Sequence, residues 1–135
     1  MKKLRNVFAV LAGMVLGGLV NSELIMVSGK IIPLPDGVNN QTAEGLAAGI
    51  QFFEPKHFIF PFLAHALGTL VGAFVATKLS APKSLIGPLI IGTLFFVGGV
   101  TMILQLPQSP MWFNVTDLLL AYFPMAYLGF LLGKR

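Results

Sequence analysis

The two histidines are the side chains of this sequence best suited to chemistry, and their spacing indicates a shared helix face. His57, Pro61, His65, Gly68 and Gly72 follow one another at steps of four, four, three and four residues, which keeps to one side of an α-helix. Because small residues mark the face through which membrane helices pack, both imidazoles are expected to point into a helical bundle. An imidazole placed there can exchange a proton, accept a hydrogen bond or bind a metal ion.

Carboxylates that could act with these histidines lie toward the same side of the membrane. Glu23 falls near the outer end of the first predicted span, Glu54 just precedes His57, and Asp117 opens the fourth span. An ionisable group inside a membrane is costly unless it is paired or hydrated, so each one is a candidate for function. We therefore predict an outward-facing polar pocket for ligand binding, formed by the following residues: His65, His57, Glu23, Glu54, Asp117 and Asn21.

Each of these polar residues also has a purely structural interpretation. Asp117 could cap the fourth helix, because short polar side chains satisfy the free N–H groups of a first turn. Glu23 lies nearly opposite Asn21 on a straight helix and could reach the lipid head groups instead. His65 could be a neutral histidine that is bonded to a carbonyl group or to Thr69.

The segment Glu54-Pro55-Lys56-His57 places a carboxylate and an imidazole three residues apart, as in the Glu-x-x-His motifs of di-iron bundles. A divalent metal cofactor bound by His57, His65 and Glu54 would have suitable ligand chemistry. Pro55 disfavours a continuous helix at this point, however, and no second Glu-x-x-His occurs in the sequence. A structural carboxylate–imidazole pair is therefore the competing interpretation, and a metal is left open.

The composition indicates an integral membrane protein. The chain has 135 residues, of which 56% are hydrophobic and 10% charged, with a mean hydropathy of +0.84; this is too apolar for an ordinary soluble domain of this size. Spanning a membrane takes about 20 mainly apolar residues. We predict a single all-α domain over residues 1-135, a four-transmembrane-helix bundle whose spans are residues 7-27, 58-79, 85-104 and 117-132.

The basic residues indicate the orientation of the bundle, because they are retained on the cytoplasmic side of a membrane. Seven of the nine flank the chain ends and the connection between the second and third spans, whereas Lys30 and Lys56 lie on the other side with the five acidic residues. We predict cytoplasmic N and C termini and a multi-pass protein of the bacterial cytoplasmic (inner) membrane. The N-terminal segment also resembles a signal peptide, but no Ala-x-Ala cleavage pattern accompanies it, so we predict that this span is retained. The charge indicates no nucleic-acid partner.

Two further features affect how the spans are connected. In the long first outer loop, apolar residues recur at helical spacing between residues 42 and 53, which predicts a short amphipathic helix that partly covers the bundle. A disordered loop tip is the alternative. Pro124 lies inside the fourth span, where it removes a backbone hydrogen bond and frees the carbonyl group of Leu120. A kink with a structural role is favoured over one that lines a cavity.

Glycine and alanine recur every four residues in the first two spans. Helices in lipid gain little from the hydrophobic effect and associate through close contacts between small residues. We predict that these faces pack within the chain; a homo-oligomer or a partner membrane subunit held through the Gly-rich faces is the alternative. The residues concerned are Ala9, Gly13 and Gly17 in the first span and Gly68, Gly72 and Ala76 in the second.

Several classes of function are disfavoured by the motifs that the sequence lacks. It has no cysteine and so no thiolate metal site or catalytic thiol, and it has no phosphate-binding loop, nucleophile elbow or His-Glu-x-x-His helix. We predict a noncatalytic binding or accessory module for a lipid-like or small apolar ligand or a partner subunit. A membrane-embedded metal-dependent enzyme or a proton-coupled carrier that uses the same pocket is the alternative, so whether the protein is an enzyme stays open.

Overall fold

The computed structural model describes all 135 residues of the chain, and all of its regular structure is helical. Four segments are long and apolar enough to cross a membrane: Lys2–Ile31, Pro55–Leu79, Ile86–Gln105 and Met111–Gly133. The prediction of an all-helical chain with four such segments is confirmed. In chain order the helices are α1 (Lys2–Ile31), α2 (Ala43–Gly49), α3 (Ile59–Leu79), α4 (Ile86–Gln105), α5 (Met111–Leu120) and α6 (Phe123–Gly133), with 3-10 turns at Ile50–Phe52 and Pro55–Phe58.

Helix α3 is central, and glycines set its distance from α1. A Cβ atom added to Gly13 would collide with the carbonyl oxygen of Gly72, and one on Gly17 would lie 2.5 Å from that of Gly68. Only glycine therefore allows the two backbones to approach this closely. The predicted contact between these faces within the chain is confirmed. A second copy or a partner subunit would have to use another face, because this one is already occupied.

Small residues also hold α4 and α6 against α3. A Cβ atom on Gly129 of α6 would lie 2.5 Å from the carbonyl oxygen of Leu70 in α3. One cluster of fully buried side chains joins the three helices, and its members are Ala73, Ala76, Ile91 and Ala126. The half of the bundle nearest the chain ends is therefore closely packed and apolar.

Both chain ends meet the last turn of α3. The Arg5 side chain donates through Nε to the carbonyl oxygen of Leu79 at 2.7 Å. The Lys78 ammonium group donates to the carbonyl oxygen of Arg135 at 3.1 Å. Seven of the nine basic residues therefore lie at one end of the bundle, named here the basic end. The opposite end, which carries α2 and the two 3-10 turns, is the looped end.

The fourth span differs from the prediction in its start and in its continuity. Helix α5 begins at Met111, six residues before the predicted start at Asp117, so the aromatic residues after Met111 belong to the helix itself. The helix is then interrupted, because α5 ends at Leu120 and α6 begins at Phe123. Pro124 has no N–H group to donate to the carbonyl of Leu120, which ends the helical hydrogen-bond pattern. The expected kink is therefore a break between two helices.

The long loop that follows α1 folds onto the looped end of the bundle. Helix α2 spans Ala43–Gly49 and continues as the 3-10 turn Ile50–Phe52, so the helix predicted between residues 42 and 53 is present with a tighter last turn. A buried apolar cluster attaches this loop to the ends of α3 and α4, and its members are Ile50, Phe58 and Leu106. Residues 32-53 thus form a folded loop cover over this end.

Candidate functional site

A cavity of about 270 Å³ lies between the loop cover and the looped end of the spans. Twelve of the 23 residues around it are hydrophobic, so its walls suit an apolar molecule. The loop cover contributes Leu34, Leu46 and Ile50, and the helices α1 and α4 contribute Ile25 and Ile103. Its size is close to the lower end of known ligand pockets, about 300 Å³.

The deepest layer of this cavity, its floor, is largely polar. Four helices line the cavity, and each contributes one lining residue that lies farthest from the loops. These residues are Asn21 of α1, His65 of α3, Gly99 of α4 and Asp117 of α5. The fold brings these four positions together from different parts of the chain. Of the residues predicted for the polar pocket, Asn21, His57, His65 and Asp117 line this one cavity.

His65 and Asp117 form a direct pair at the floor. The Nδ1 atom of His65 lies 2.8 Å from Oδ1 and 3.0 Å from Oδ2 of Asp117. The Tyr122 hydroxyl donates to Oδ2 of Asp117 at 2.9 Å, and its ring stacks on the imidazole with the centroids 5.8 Å apart. Asp117 is only 3% exposed, so two donors hold a carboxylate that is almost fully removed from solvent. These contacts fix the position and the orientation of the His65 ring.

The other imidazole nitrogen of His65, Nε2, has no hydrogen-bond partner in the protein. Every buried side-chain nitrogen or oxygen in this structure has a hydrogen-bond partner. Because Nε2 has none, it is not buried and must be accessible from the cavity. Because Nδ1 carries the proton that is donated to Asp117, Nε2 of the neutral ring is a hydrogen-bond acceptor. The floor therefore presents an oriented acceptor.

Asn21 offers a second unsatisfied polar group at the floor. Its side-chain amide makes no hydrogen bond within the protein, and it must be accessible for the same reason as Nε2 of His65. An amide provides both donors and an acceptor. Together, His65 and Asn21 can hold a small polar group such as a hydroxyl or a carboxyl.

Two residues that the sequence did not predict, Tyr122 and Gly99, complete the site. Asp117 and Tyr122 are five residues apart, which separates them by about 140° around a continuous helix. The break between α5 and α6 brings the hydroxyl back to the carboxylate. Gly99 leaves room for it, since a Cβ atom there would lie 2.8 Å from Cζ of Tyr122. The only sequence signal was Pro124, which predicts an interruption but not its direction.

His57 lines the cavity, but its contacts are structural. Its Nδ1 accepts from the backbone N–H of Glu54 at 2.8 Å, and its Nε2 lies 3.0 Å from the carbonyl oxygen of Pro33. Because an N–H group can only donate, Nδ1 is unprotonated and Nε2 donates to Pro33, as in a neutral ring. His57 thus ties the loop cover to the start of the second span and has no free nitrogen for a ligand.

Neither glutamate of the predicted pocket reaches the floor. Glu54 is exposed, and its carboxylate lies 3.3 Å from the ammonium group of Lys56. Glu23 is exposed on the outer surface of α1, in a shallow depression with apolar residues such as Leu19 and Leu67. The convergence of all the predicted carboxylates is therefore wrong, because only Asp117 faces the cavity.

The contacts expected in the structural interpretations of His65 and Asp117 are not the ones that these residues make. Asp117 lies in the second half of α5 and not in its first turn, so it does not cap that helix. The Thr69 hydroxyl donates to the backbone carbonyl oxygen of His65 at 2.7 Å and not to the ring. The ring of His65 is left to interact with Asp117 and with the contents of the cavity.

The hypothesised metal ligands are not brought together. No group of three His, Cys, Asp or Glu side chains is arranged to hold a metal ion. Glu54 contacts Lys56, and both nitrogens of His57 are occupied by backbone groups. His65 therefore has Asp117 as its only neighbour of suitable chemistry, whereas a protein zinc site takes three or four ligands.

The hydroxyl groups near His65 are not arranged for nucleophilic catalysis. Two serines line the cavity, and each donates its proton elsewhere: Ser28 to the carbonyl oxygen of Ile25 at 2.6 Å, and Ser109 to Oδ1 of Asn114 at 2.7 Å. A nucleophile would have to bond to its base, and neither serine is bonded to His65. The arrangement can accept a proton or a hydrogen bond from a molecule in the cavity.

Comparison with known proteins gives no assignment for this site. No model of a known protein family, no curated protein and no solved structure matches the chain significantly. The chemistry of the cavity is therefore the basis for inferring its function.

Proposed function

We propose that the protein is a noncatalytic, membrane-embedded binding module that holds a small, lipid-like molecule beneath the loop cover. The apolar body of the ligand lies among the wall residues, and a hydroxyl or protonated carboxyl group at one end donates to Nε2 of His65 and contacts Asn21. The observation that carries this proposal is the accessible, unpartnered Nε2 of an imidazole whose other nitrogen is fixed by Asp117. A polar atom without a partner is costly in apolar surroundings, so a ligand that supplies one gains free energy.

The depth of the floor supports an amphipathic ligand. His65 is 13 residues from Lys78 at the basic end, which places it about 20 Å along α3 and hence about 10 Å below the opposite face of a hydrocarbon layer of about 30 Å. A polar group at this depth meets a ligand whose remaining length lies within the apolar walls. A strongly hydrated ion would lose its water there without gaining enough ligands.

The orientation proposed with this function places both termini in the cytoplasm of a bacterial cell and the cavity on the outer side of the cytoplasmic membrane. Its support is the position of seven of the nine basic residues at the end opposite the cavity, as the retention of basic loops in the cytoplasm requires. Membrane-impermeant thiol reagents test it with single cysteines at Asn39 and Lys83. Asn39→Cys should react from outside and Lys83→Cys should not, and the reverse pattern would overturn the orientation.

The enzyme and carrier alternatives gain less support from the contacts. The metal ligands that an enzyme of this kind needs are not assembled. A carrier needs a route to the other side, but directly below the floor the backbones of α1 and α3 touch at Gly17 and Gly68. An occupant of the cavity is thus held on one side of the bundle.

Photo-crosslinking tests ligand binding directly. The protein in phosphatidylcholine nanodiscs is irradiated with palmitic acid that carries a diazirine in its chain, and the modified residues are located by mass spectrometry. We expect labels on cavity residues such as Phe60 and Ile103. His65→Leu should lower this labelling about fivefold to tenfold, because one hydrogen bond worth about 1 kcal/mol is lost. Ile103→Trp should also lower it by filling the cavity.

Glu23→Gln is the matched control, because it removes a charge from the exposed surface of α1, outside the cavity, and should leave cavity labelling unchanged. Thermal unfolding of every variant separates loss of binding from loss of the fold. Labelling that is unchanged in both His65→Leu and Ile103→Trp would overturn the proposal. Labels confined to outer-surface residues such as Leu19 would overturn it as well.

A further inference from the structure

A second cavity lies at the basic end, in a groove between α1 and α4 that the proposed function does not use. Its volume is about 270 Å³. Several of the side chains that line it are exposed at the surface of the bundle, so the groove opens toward lipid when the helices span a membrane. Its sides are apolar and consist of Val7, Val10 and Leu11 of α1 and Ile86, Gly87 and Ile90 of α4.

The mouth of this groove carries donors that the protein leaves free. Asn6 accepts the backbone N–H of Ala81 through Oδ1 at 2.8 Å, so its Nδ2 has no partner. The Ser84 hydroxyl also makes no hydrogen bond, and both atoms are accessible, since no unpartnered polar side-chain atom is buried. Ile86 and Gly87 begin α4, and backbone N–H groups in a first turn have no acceptor within the helix.

The charge around the mouth is positive. Arg5 is bonded to the protein only through Nε, to the carbonyl oxygen of Leu79, so its two terminal nitrogens are free. Lys2 and Lys3 precede it at the same end of the helix. None of the five acidic residues lies at the basic end. Four lie toward the looped end, and Asp117 is at the floor of the first cavity, which is called the outer cavity from here on. The mouth is therefore complementary to an anion.

We propose that this groove binds a phospholipid with an anionic head group. One acyl chain lies between α1 and α4, and the phosphate accepts hydrogen bonds from Asn6, Ser84 and Arg5. The apolar sides need a chain to cover them, while the free donors suit phosphate oxygens, which only accept. The basic residues favour a lipid of net negative charge over a zwitterionic one. This inference requires that the helices span a membrane but is independent of the ligand in the outer cavity.

Native mass spectrometry tests the inference with the whole protein released from detergent micelles. The protein is offered equal amounts of phosphatidylglycerol and phosphatidylcholine with identical acyl chains. We expect phosphatidylglycerol to be retained at least about fivefold more, the factor that one basic residue near a membrane surface contributes. Arg5→Gln should remove most of this preference. Gly87→Leu should reduce retention of both lipids, because its side chain fills the groove.

Two controls accompany these variants. Lys30→Gln removes a basic residue from the opposite end, and Gly98→Leu adds the same side chain to α4 where no atom lies within 4 Å of a Cβ atom. A Cβ atom on Gly87 meets its nearest neighbour at 3.6 Å, an ordinary van der Waals contact, and thermal unfolding measures whether the rest of the leucine side chain is accommodated. Should Gly87→Leu still unfold, Ser84→Ala in the exposed loop must lower phosphatidylglycerol retention.

Several results would overturn the inference. Equal retention of the two lipids, or unchanged retention in folded Gly87→Leu, would contradict it. Complete displacement of phosphatidylglycerol by inorganic phosphate would also contradict it, because the mouth would then bind a free anion. Labelling of the outer cavity by the photoreactive palmitic acid should be unaffected in Gly87→Leu. Failure of the lipid site is therefore distinguishable from failure of the binding function proposed for that cavity.

Discussion

The half of the bundle at the basic end, the basic half, is closely packed, whereas the half at the looped end, the looped half, surrounds a cavity. Both halves are formed by the same four spans. In the basic half, glycine and alanine bring the helix backbones into contact and leave no interior space between α1 and α3. In the looped half, side chains of the same helices surround a cavity. The change occurs within one helical turn: Gly17 contacts Gly68, and the next residues on those faces, Asn21 and His65, already line the floor.

This difference shows how a small bundle can hold polar groups in its interior with defined geometry. Contacts between backbones have no side-chain rotamers to vary, so they fix the separation of α1 and α3. His65 and Asn21 lie one turn above that fixed contact, so the separation of α1 and α3 there sets the distance between their side chains. The packed half is the support, and the looped half holds the groups that are free to bind.

The largest expected effect comes from breaking the packed half. In Gly17→Leu the Cβ atom alone would lie 2.5 Å from the carbonyl oxygen of Gly68, and backbone cannot move aside as a side chain can. We expect a loss of about 3 kcal/mol in the free energy of unfolding, or no folded protein. Thermal unfolding in detergent micelles measures it. Gly18→Leu is the control, because no atom lies within 4 Å of a Cβ there; equal losses would show that packing of α1 and α3 does not support the bundle.

An intermediate effect is expected at the junction of α4 with the floor. A Cβ atom in Gly99→Ala collides with the Tyr122 hydroxyl, so Tyr122 must withdraw from Asp117. We expect a loss of about 2 kcal/mol, the value of one hydrogen bond to a charged group, together with weaker labelling of the cavity by the photoreactive palmitic acid. Gly98→Ala should be neutral or slightly stabilising, since alanine favours a helix more than glycine does. Unchanged stability in Gly99→Ala would mean that the Tyr122 contact contributes nothing.

The smallest effect is expected in the loop cover. His57→Phe keeps an aromatic ring against Phe53, whose centroid is 5.4 Å away, but loses the bonds to Glu54 and Pro33. We expect faster hydrogen–deuterium exchange in residues 33-53, by the factor that corresponds to about 1 kcal/mol of local stability. The four spans should exchange as before. Lys56→Gln should leave the loop unchanged, because exposed ion pairs contribute little; faster exchange throughout the bundle would show that the cover and the spans form one cooperative unit.

Much of the packed half could be predicted from the sequence, because its determinants are local and periodic. Apolar length gives the spans, and small residues every fourth position give the faces that meet. Helix α2, in the long loop after α1, followed from the same kind of periodicity. The start of the fourth span was wrong because hydropathy falls across Asn114, Thr116 and Asp117, although these residues are helical.

The site could be predicted only for ionisable residues within the predicted spans, because their position along the span implies that they need a partner. His65 and Asp117 were selected as ionisable groups that need a partner inside a membrane, and the structure places them together. The role of His57 depends on the carbonyl of Pro33, which is 24 residues away, and no local pattern contains that contact. The His57 ring does interact with Glu54, but it accepts from the backbone N–H of Glu54 and makes no hydrogen bond with its carboxylate.

The length of α1 determines how a molecule reaches the cavity. The helix has 30 residues and is about 45 Å long, whereas the hydrocarbon layer is about 30 Å thick. With Arg5 at one edge of that layer, Glu23 falls about 27 Å away, at the other edge, where an exposed carboxylate reaches water. In the proposed orientation, the last turns of α1 and the loop cover therefore lie among the lipid head groups. Under the proposed function and orientation, a solute would come to the cavity after partitioning into this interfacial layer, so its concentration in the membrane, and not in the surrounding water, would determine how often the cavity is occupied.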